Sequence, residues 1–426
     1  MSEKNIDQLV QEANFLAIRQ MAQEAGLGPA SIFELYAARG RSEVSGFTVP
    51  AINLRGFTYE SARAAFRAAK KLNAAAIIFE IARSEMGYTE QPPLEYSAMV
   101  LAAAIKENYP YPVFIQGDHF QVKEKGFKEN REKELSAIKK LISDSIAAGF
   151  YQIDLDTSTL VELDKPTVKE QQKNNYEVAA ELTDFIRQIQ PAGITVALGG
   201  EIGEIGGKNS TSEELRAYLQ GYWESVKSHP GLSKLAVQTG TVHGGVPLPD
   251  GSVARVKLDF DTLQKLSEIA TKEYGLAGCV QHGASTLPAE MFDKFPALGT
   301  AEIHLATEFQ NIIFDHPKFP GDLKERIKRY CLEKLAAERK PEETEQQFFY
   351  KTRKKAWGPF KKDIAAMPAE VKNAIASDLE KKFLFLFEKL GVKNSAAMVK
   401  KYIKVVRVPI TENAPVTKAE KFSGAD

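Results

Sequence analysis

From residue 47 to residue 306 the chain alternates short apolar runs with longer amphipathic segments, and this rhythm limits its fold more than any other feature. The apolar runs lie at 47–53, 75–81, 112–117, 151–156, 194–199, 234–239, 277–281 and 302–306, each of strand length. The intervening segments at 59–72, 94–107, 133–148, 175–190, 212–226, 261–274 and 288–295 carry helical spacing. Eight strand candidates with helices between them predict a parallel sheet closed into a (β/α)₈ TIM barrel of the α/β class. An open, doubly wound sheet would more often have roughly five to seven strands and a nucleotide fingerprint after its first strand. Neither GxGxxG nor GxxxxGK[ST] occurs at a strand-to-helix junction, so the open sheet loses.

The flanks read differently. Residues 1–45 form an N-terminal helical segment, with Ile6, Val10, Phe15, Ile18 and Met21 at helical spacing that suggests one or two helices. The barrel occupies 46–320. From 321 to 426 the composition turns Lys- and Glu-rich, predicting helices at 322–339, 343–356 and 369–390, a β-prone stretch at 402–408 and a polar tail from Pro409. Apolar positions in this extension (Ile327, Leu332, Leu335 and 383–387) need cover. They are expected to pack on the barrel or, by slight preference, on a second subunit, which implies a homo-oligomer, a dimer or larger.

Charge narrows the partners. Lys+Arg 56 and Asp+Glu 56 cancel, so no global positive field draws the chain to nucleic acid or an anionic membrane. A small molecule is the expected partner, and an anionic one must be held by helix N-termini or a Gly-rich backbone nest. Two cysteines, Cys279 and Cys331, supply no disulfide framework. Together with the absence of a secretion signal or a bilayer-length apolar run, they predict a cytoplasmic protein.

In a parallel barrel the reactive groups collect where the strands end. Of six histidines, His119, His243 and His282 fall at or just past the ends of the third, sixth and seventh predicted strands, each in a Gly-flanked segment. Three imidazoles on one rim are the ligand set of an open catalytic zinc site. A lone strand-end histidine is more often a hydrogen-bonded structural residue; co-location on one rim is what favours the metal. Asp118 precedes the first of them and is positioned to act as a general acid/base, although an isolated loop aspartate more often caps a helix. The Gly-rich segment 199–208 reads as a lid carrying two carboxylates, Glu201 and Glu204, with a simple tight turn as the plainer reading. The loops after strands seven and eight, 283–286 and 306–308, are small and hydroxyl-rich, which suits phosphate binding and equally suits helix capping at Ser285 and Thr307.

With these segments in order, the stretch from about Val49 to Asn311 resembles the class II fructose-1,6-bisphosphate and tagatose-1,6-bisphosphate aldolases. The resemblance is carried by Val49-Pro50-Ala51-Ile52-Asn53, Gly117-Asp118-His119, Asp156-Thr157-Ser158, Gly200-Glu201-Ile202-Gly203 with Gly206-Gly207, Gly240-Thr241-Val242-His243-Gly244, His282-Gly283-Ala284-Ser285 and Ala306-Thr307-Glu308. It implies Asp118 as the group exchanging the proton of the cleaved hydroxyl, with Glu201 a second catalytic carboxylate near the metal. It implies His119, His243 and His282 as Zn²⁺ ligands and Asp156 as a supporting carboxylate. Asn53, Gly244, Gly283, Ser285, His304 and Thr307 would contact substrate or its phosphate, with a monovalent cation, Na⁺ or K⁺, nearby. His-Gly-Ala-Ser and Ala-Thr-Glu are closer to the tagatose-type wording.

The sequence also departs from that pattern. His304 stands where the family usually has an asparagine, Lys208-Asn209-Ser210 follows the lid glycines in place of acidic residues, and the exit of the second strand, 80–85, is more charged than usual. The expected function is reversible cleavage of a phosphorylated ketose, of fructose or tagatose type, to dihydroxyacetone phosphate and an aldehyde, as in glycolysis and related carbohydrate metabolism. Two rivals remain: the same fold acting on another sugar phosphate, which His304 and Arg83 would favour, and a non-catalytic partner of an aldolase, which the retained histidines disfavour.

Overall fold

The computed structural model describes residues 5–203, 208–240 and 258–410. Eight strands close into a barrel in chain order: β1 (Val49–Asn53), β2 (Ile78–Ala82), β3 (Phe114–Gln121), β4 (Gln152–Asp156), β5 (Ala197–Glu201), β6 (Lys234–Val237), β7 (Cys279–Gln281) and β8 (Glu302–Leu305). Every neighbouring pair is parallel, and β8 pairs with β1 to complete the ring. The alternation of apolar runs and amphipathic segments therefore produces the expected (β/α)₈ barrel.

The helices follow the same logic. Thr58–Lys71 buries Ala62, Ala65, Phe66 and Ala69, and the small residues let its backbone lie close to the sheet. Pro93–Lys106, Glu124–Ala148, Lys173–Ile189, Ser212–Ser225 and Phe260–Tyr274 fill five of the other expected windows. The window 288–295 does not become one helix. It holds a 3₁₀ turn at Ala289–Met291 and a single helical turn at Lys294–Ala297, because prolines at 288 and 296 each remove a backbone donor.

Three helices precede the barrel, where one or two were expected: Ile6–Gln11, Phe15–Glu24 and Phe33–Gly40. The third seals the floor. The Arg39 guanidinium donates to the carbonyls of Ala277 (2.8 Å), Thr300 (2.8 Å) and Phe47, groups just ahead of strands β7, β8 and β1. Gly40 is required there, since a Cβ would sit 2.0 Å from the Gly275 carbonyl oxygen.

Beyond the barrel, Gly321–Lys334, Glu345–Thr352 and Ala369–Lys389 occupy the three expected helical windows. The apolar run of the last packs on Thr58–Lys71 of the same chain, with Phe383, Leu386 and Phe387 buried and Phe383 4.8 Å from the Phe309 ring. Of the two expected covers, the structure shows the one within the chain. The stretch 402–408 forms no strand: the helix Ala396–Tyr402 ends there and backbone outside any helix or strand follows. A closed barrel presents no free edge to which a further strand could add. The extension also reaches the barrel mouth, where Trp357 stacks on Phe314 at 4.5 Å and donates from Nε1 to Gln310 Oε1 (3.1 Å). Its ring lies where a Cβ on Gly56 would be, 2.2 Å away, so the turn after β1 accepts only glycine at that position.

Candidate active site

Successive residues of a strand point to opposite faces, so a dipeptide such as Asp118-His119 should send one side chain inward and one outward. The end of β3 escapes this rule. Its register against β4 shifts between Gly117 and Phe120, and His119 takes φ +41°, a left-handed conformation that non-glycine residues rarely adopt. As a result both side chains serve the mouth. Asp118 turns toward β8, its Oδ1 3.2 Å from His304 Nδ1, and His119 turns toward β4, its Nδ1 3.1 Å from Asp156 Oδ2. Strain of this kind persists where the surrounding structure over-determines it, as at many functional sites.

Around His119 the donors converge. His119, Glu201 at the end of β5 and His282 just past β7 each offer a ligand atom, all within 4.8 Å of one another. The His119 and His282 rings lie 4.4 Å apart, and Glu201 Oε2 is 3.2 Å from His119 Nδ1. Asp156 is itself held, accepting from Gln121 Nε2 (2.7 Å) and Ser158 Oγ (2.6 Å). A neutral His119 that donates from Nδ1 to Asp156 keeps its lone pair on Nε2, the tautomer a metal ligand needs. Two imidazoles and a carboxylate are nitrogen and oxygen donors of the kind Zn²⁺ takes, so the residues fit a divalent ion. His243 and Gly244, expected as the third ligand and a phosphate contact, lie outside the described residues, as do Glu204, Gly206 and Gly207 of the expected lid.

The electrostatics separate these carboxylates. Burial opposes charge on Asp118, but His119 and His304 outweigh it and hold the carboxyl well below its ordinary value. Glu201 goes the other way, pushed up to about 7 by burial and the neighbouring Asp156 despite His119. Burial also opposes an imidazolium at His119, which Asp118 and Glu201 nevertheless favour.

Below the mouth lies a group of residues of which sequence reading singled out only His304 and the charged exit that begins at Glu80. Barrel interiors are usually filled by layers of branched apolar side chains. This one holds Glu80 (β2), Gln116 (β3), Asp154 (β4), Lys234 (β6), Glu302 and His304 (β8). Lys234, fully buried, donates to Gln116 Oε1 (2.8 Å), Asp154 Oδ2 (3.1 Å) and Glu302, and Glu302 also accepts from Tyr36 of the floor-sealing helix. Burial opposes the Lys234 ammonium, yet Asp154 and Glu302 raise its pKa. Lys234 and His304 in turn hold Glu302 down to about 2 against burial. Burial pushes the Glu80 carboxyl well above its ordinary range, against the opposing pull of His304. A signal existed: each of Glu80, Lys234 and Glu302 interrupts an apolar run that otherwise reads as a buried strand.

The expected substrate contacts sit on the same rim. Gly283, at φ +65°, and Ser285 leave β7, and Thr307 opens the helix Thr307–Phe314 directly after β8, the neighbouring strand. No helix begins at Ser285, and the side chain of Thr307 is not a cap. Asn53 closes β1 with Nδ2 donating to Glu85 Oε2 (2.7 Å), while its Oδ1 is buried without a protein partner. Arg83 is committed elsewhere, donating to Glu134 Oε1 (2.8 Å) and the Gln121 carbonyl (2.5 Å).

A barrel with this rim is shared by several enzyme classes, and comparison with known proteins separates them. The family model described as fructose-bisphosphate aldolase class-II matches residues 40–382. The chain belongs to that family. No curated protein matches it. Among solved structures, a fructose-bisphosphate aldolase from Campylobacter jejuni matches with TM-score 0.51 at 18% identity, covering 84% of this chain and 94% of the other. A protein from Sinorhizobium meliloti described as a probable tagatose 6 phosphate kinase matches with TM-score 0.55 at 17% identity, covering 83% and 93%. The YdjI aldolase from Escherichia coli K12 matches with TM-score 0.50 at 14% identity, covering 87% and 99%. At such identities these neighbours show a shared fold. The class II aldolase family is a family of lyases, and no helix among the described residues is long and apolar enough to cross a membrane.

Proposed function

We propose that this chain is a zinc-dependent aldolase that reversibly cleaves a phosphorylated ketose, of tagatose or fructose type, to dihydroxyacetone phosphate and an aldehyde. The observation that carries the reading is the convergence of His119, His282 and Glu201 within 4.8 Å of one another, beside Asp118 at the mouth of a closed barrel. His119, His282 and His243, with Glu201, would hold the ion. Bound there, a divalent metal supplies Lewis acidity at the ketose carbonyl.

The chain's own residues do the rest. Asp118, held ionised by its imidazole neighbours, accepts the proton of the C4 hydroxyl as the C3–C4 bond breaks. The bonding pair stays with the dihydroxyacetone phosphate half, C4 becomes the aldehyde carbon, and a proton delivered to C3 completes the product. Asp156 keeps His119 oriented. Gly283, Ser285 and Thr307 supply backbone and hydroxyl donors to a phosphate, with a monovalent cation near the same loops. The protein would work in a reducing, cytoplasmic setting as a homo-oligomer.

The only lysine among the described residues that lies inside the barrel is Lys234, and three acceptors hold it as an ammonium, which suits neither nucleophilic attack nor Schiff-base formation. A screen of mono- and bisphosphorylated ketoses with the zinc-loaded chain tests the reading. Cleavage should stop on chelation and return with zinc, and borohydride with substrate should trap no covalent adduct. Chelator-resistant turnover or a trapped lysine would sink it.

A further inference from the structure

Of the two β8 side chains that point into the barrel, Glu302 and His304, the second stands closest to the reacting groups. Residues two apart on a strand share a face, so the pair forms a short column from the floor to the mouth. The His304 ring is buried and meets carboxylates at both nitrogens: Nδ1 is 3.2 Å from Asp118 Oδ1 and 3.2 Å from Glu80 Oε2, and Nε2 is 2.7 Å from Glu302 Oε1 and 3.6 Å from Asp154 Oδ2. The ring packs against His282 in a tilted arrangement, with centroids 4.2 Å apart.

Two roles could follow from that position. Asp118, His282 and His304 offer atoms close enough for an inner metal site. A ligating nitrogen, however, must turn a lone pair to the ion, and in this ring Nδ1 is already taken up by Asp118 Oδ1 at 3.2 Å and Nε2 by Glu302 Oε1 at 2.7 Å. The geometry favours a donor. Glu302 is itself fixed by Lys234, by Tyr36 and by Gln116 Nε2 (2.8 Å), so the ring is braced from below and can turn little.

From this geometry we infer that His304 is a positioning residue for carbon–carbon cleavage: its Nδ1–H holds the Asp118 carboxylate in the orientation that receives the hydroxyl proton, and Glu302 holds His304. The inference rests on the aldolase reading for the identity of the step. It differs from direct substrate contact, because His304 acts through Asp118. A carboxylate left to rotate misses the near-attack geometry, and such misplacement costs rate more than affinity.

The test compares His304→Leu and His304→Gln with the unaltered zinc-loaded chain. Two rates are read on each: ketose cleavage, and exchange of the C3 proton of dihydroxyacetone phosphate with solvent, a reaction in which no C4 hydroxyl takes part. For His304→Leu, kcat for cleavage should fall roughly 10- to 100-fold with KM nearly unchanged. Exchange and zinc content should stay at the level of the unaltered chain. His304→Gln, which keeps one N–H donor, should recover part of the loss and covers the case in which the leucine variant fails to fold. Equal losses in cleavage and exchange, a loss of zinc, or unchanged cleavage would overturn the inference. An unaltered chain that performs neither reaction would instead overturn the aldolase reading, and this inference with it.

Discussion

The barrel mouth and the barrel floor are built from the same residue types and behave as opposites. At the mouth, His119, Glu201 and His282 converge, and the groups set against the carboxylates there are imidazoles. On the floor, Lys234 sits among Gln116, Asp154 and Glu302, and Tyr36 closes the lower side. The floor's charges are paired with one another through Lys234, whereas the mouth gathers donors of the kind a divalent ion takes. Preorganised polarity below lets the groups above be aimed precisely at a substrate without relaxing toward one another. His304 joins the two halves, since it touches Asp118 above and Glu302 below.

The largest effect expected from breaking this contrast is at the mouth. Asp118→Asn keeps the shape and a hydrogen-bonding group but removes the base, and kcat for cleavage should fall by about 10²–10⁴-fold with zinc still bound. Steady-state kinetics with metal analysis checks it, and near-normal kcat would exclude Asp118 as the proton acceptor.

On the floor the loss should appear as stability. Lys234→Met leaves Glu302 and Asp154 buried without their cation, and removing one partner of a buried pair costs about 3–5 kcal/mol. Urea unfolding of the metal-free protein measures it. A variant as stable as the parent would mean the floor's pairing is not what holds the barrel closed.

Between these lies Asp156. Asp156→Asn should weaken zinc binding by about 10- to 100-fold, the usual consequence of disturbing a carboxylate that orients a ligating histidine. Competition with a chelating indicator reads it directly, and unchanged affinity would sever His119 from its proposed support.

The smallest effect is on pH. Glu201 is raised to about 7, so it binds a proton as pH falls through 7 and must release it to bind a metal. His119, whose imidazolium is also favoured, adds in the same direction. Affinity for Co²⁺ should therefore rise with pH through 7, by up to about tenfold per unit for each proton released. Calorimetric titration between mildly acidic and mildly alkaline pH checks the slope, and a flat profile would remove Glu201 from the ligand set.

Much of this was legible before any coordinates. All eight strands fall within the expected apolar runs or overlap them, because parallel strands buried on both faces leave a near-continuous apolar signature. The strand-end positions of Asp118, His119, Glu201 and His282 were equally plain. The floor was harder, since Glu80, Lys234 and Glu302 are scattered over 222 positions and each alone looks like a blemish in a strand. The surroundings of His304 were hidden for a related reason. A histidine at a rim invites the reading of substrate contact, and nothing local reveals that both nitrogens meet carboxylates brought from three other strands and its own.

By itself the sequence determined the periodicity, and periodicity determined the architecture: strand, helix, strand, repeated until the sheet could close. It also placed reactive residues at strand ends, which the parallel arrangement gathers onto one rim. Only the tertiary structure decided which charges meet. The bulge at His119 turns two consecutive side chains to the same cavity, the extension finds its cover on the barrel's own helix, and Lys234 finds Glu302, 68 positions away. Such pairings are set by closure of the ring and by the cost of burying an unpaired charge, and neither quantity is encoded in any short stretch of chain.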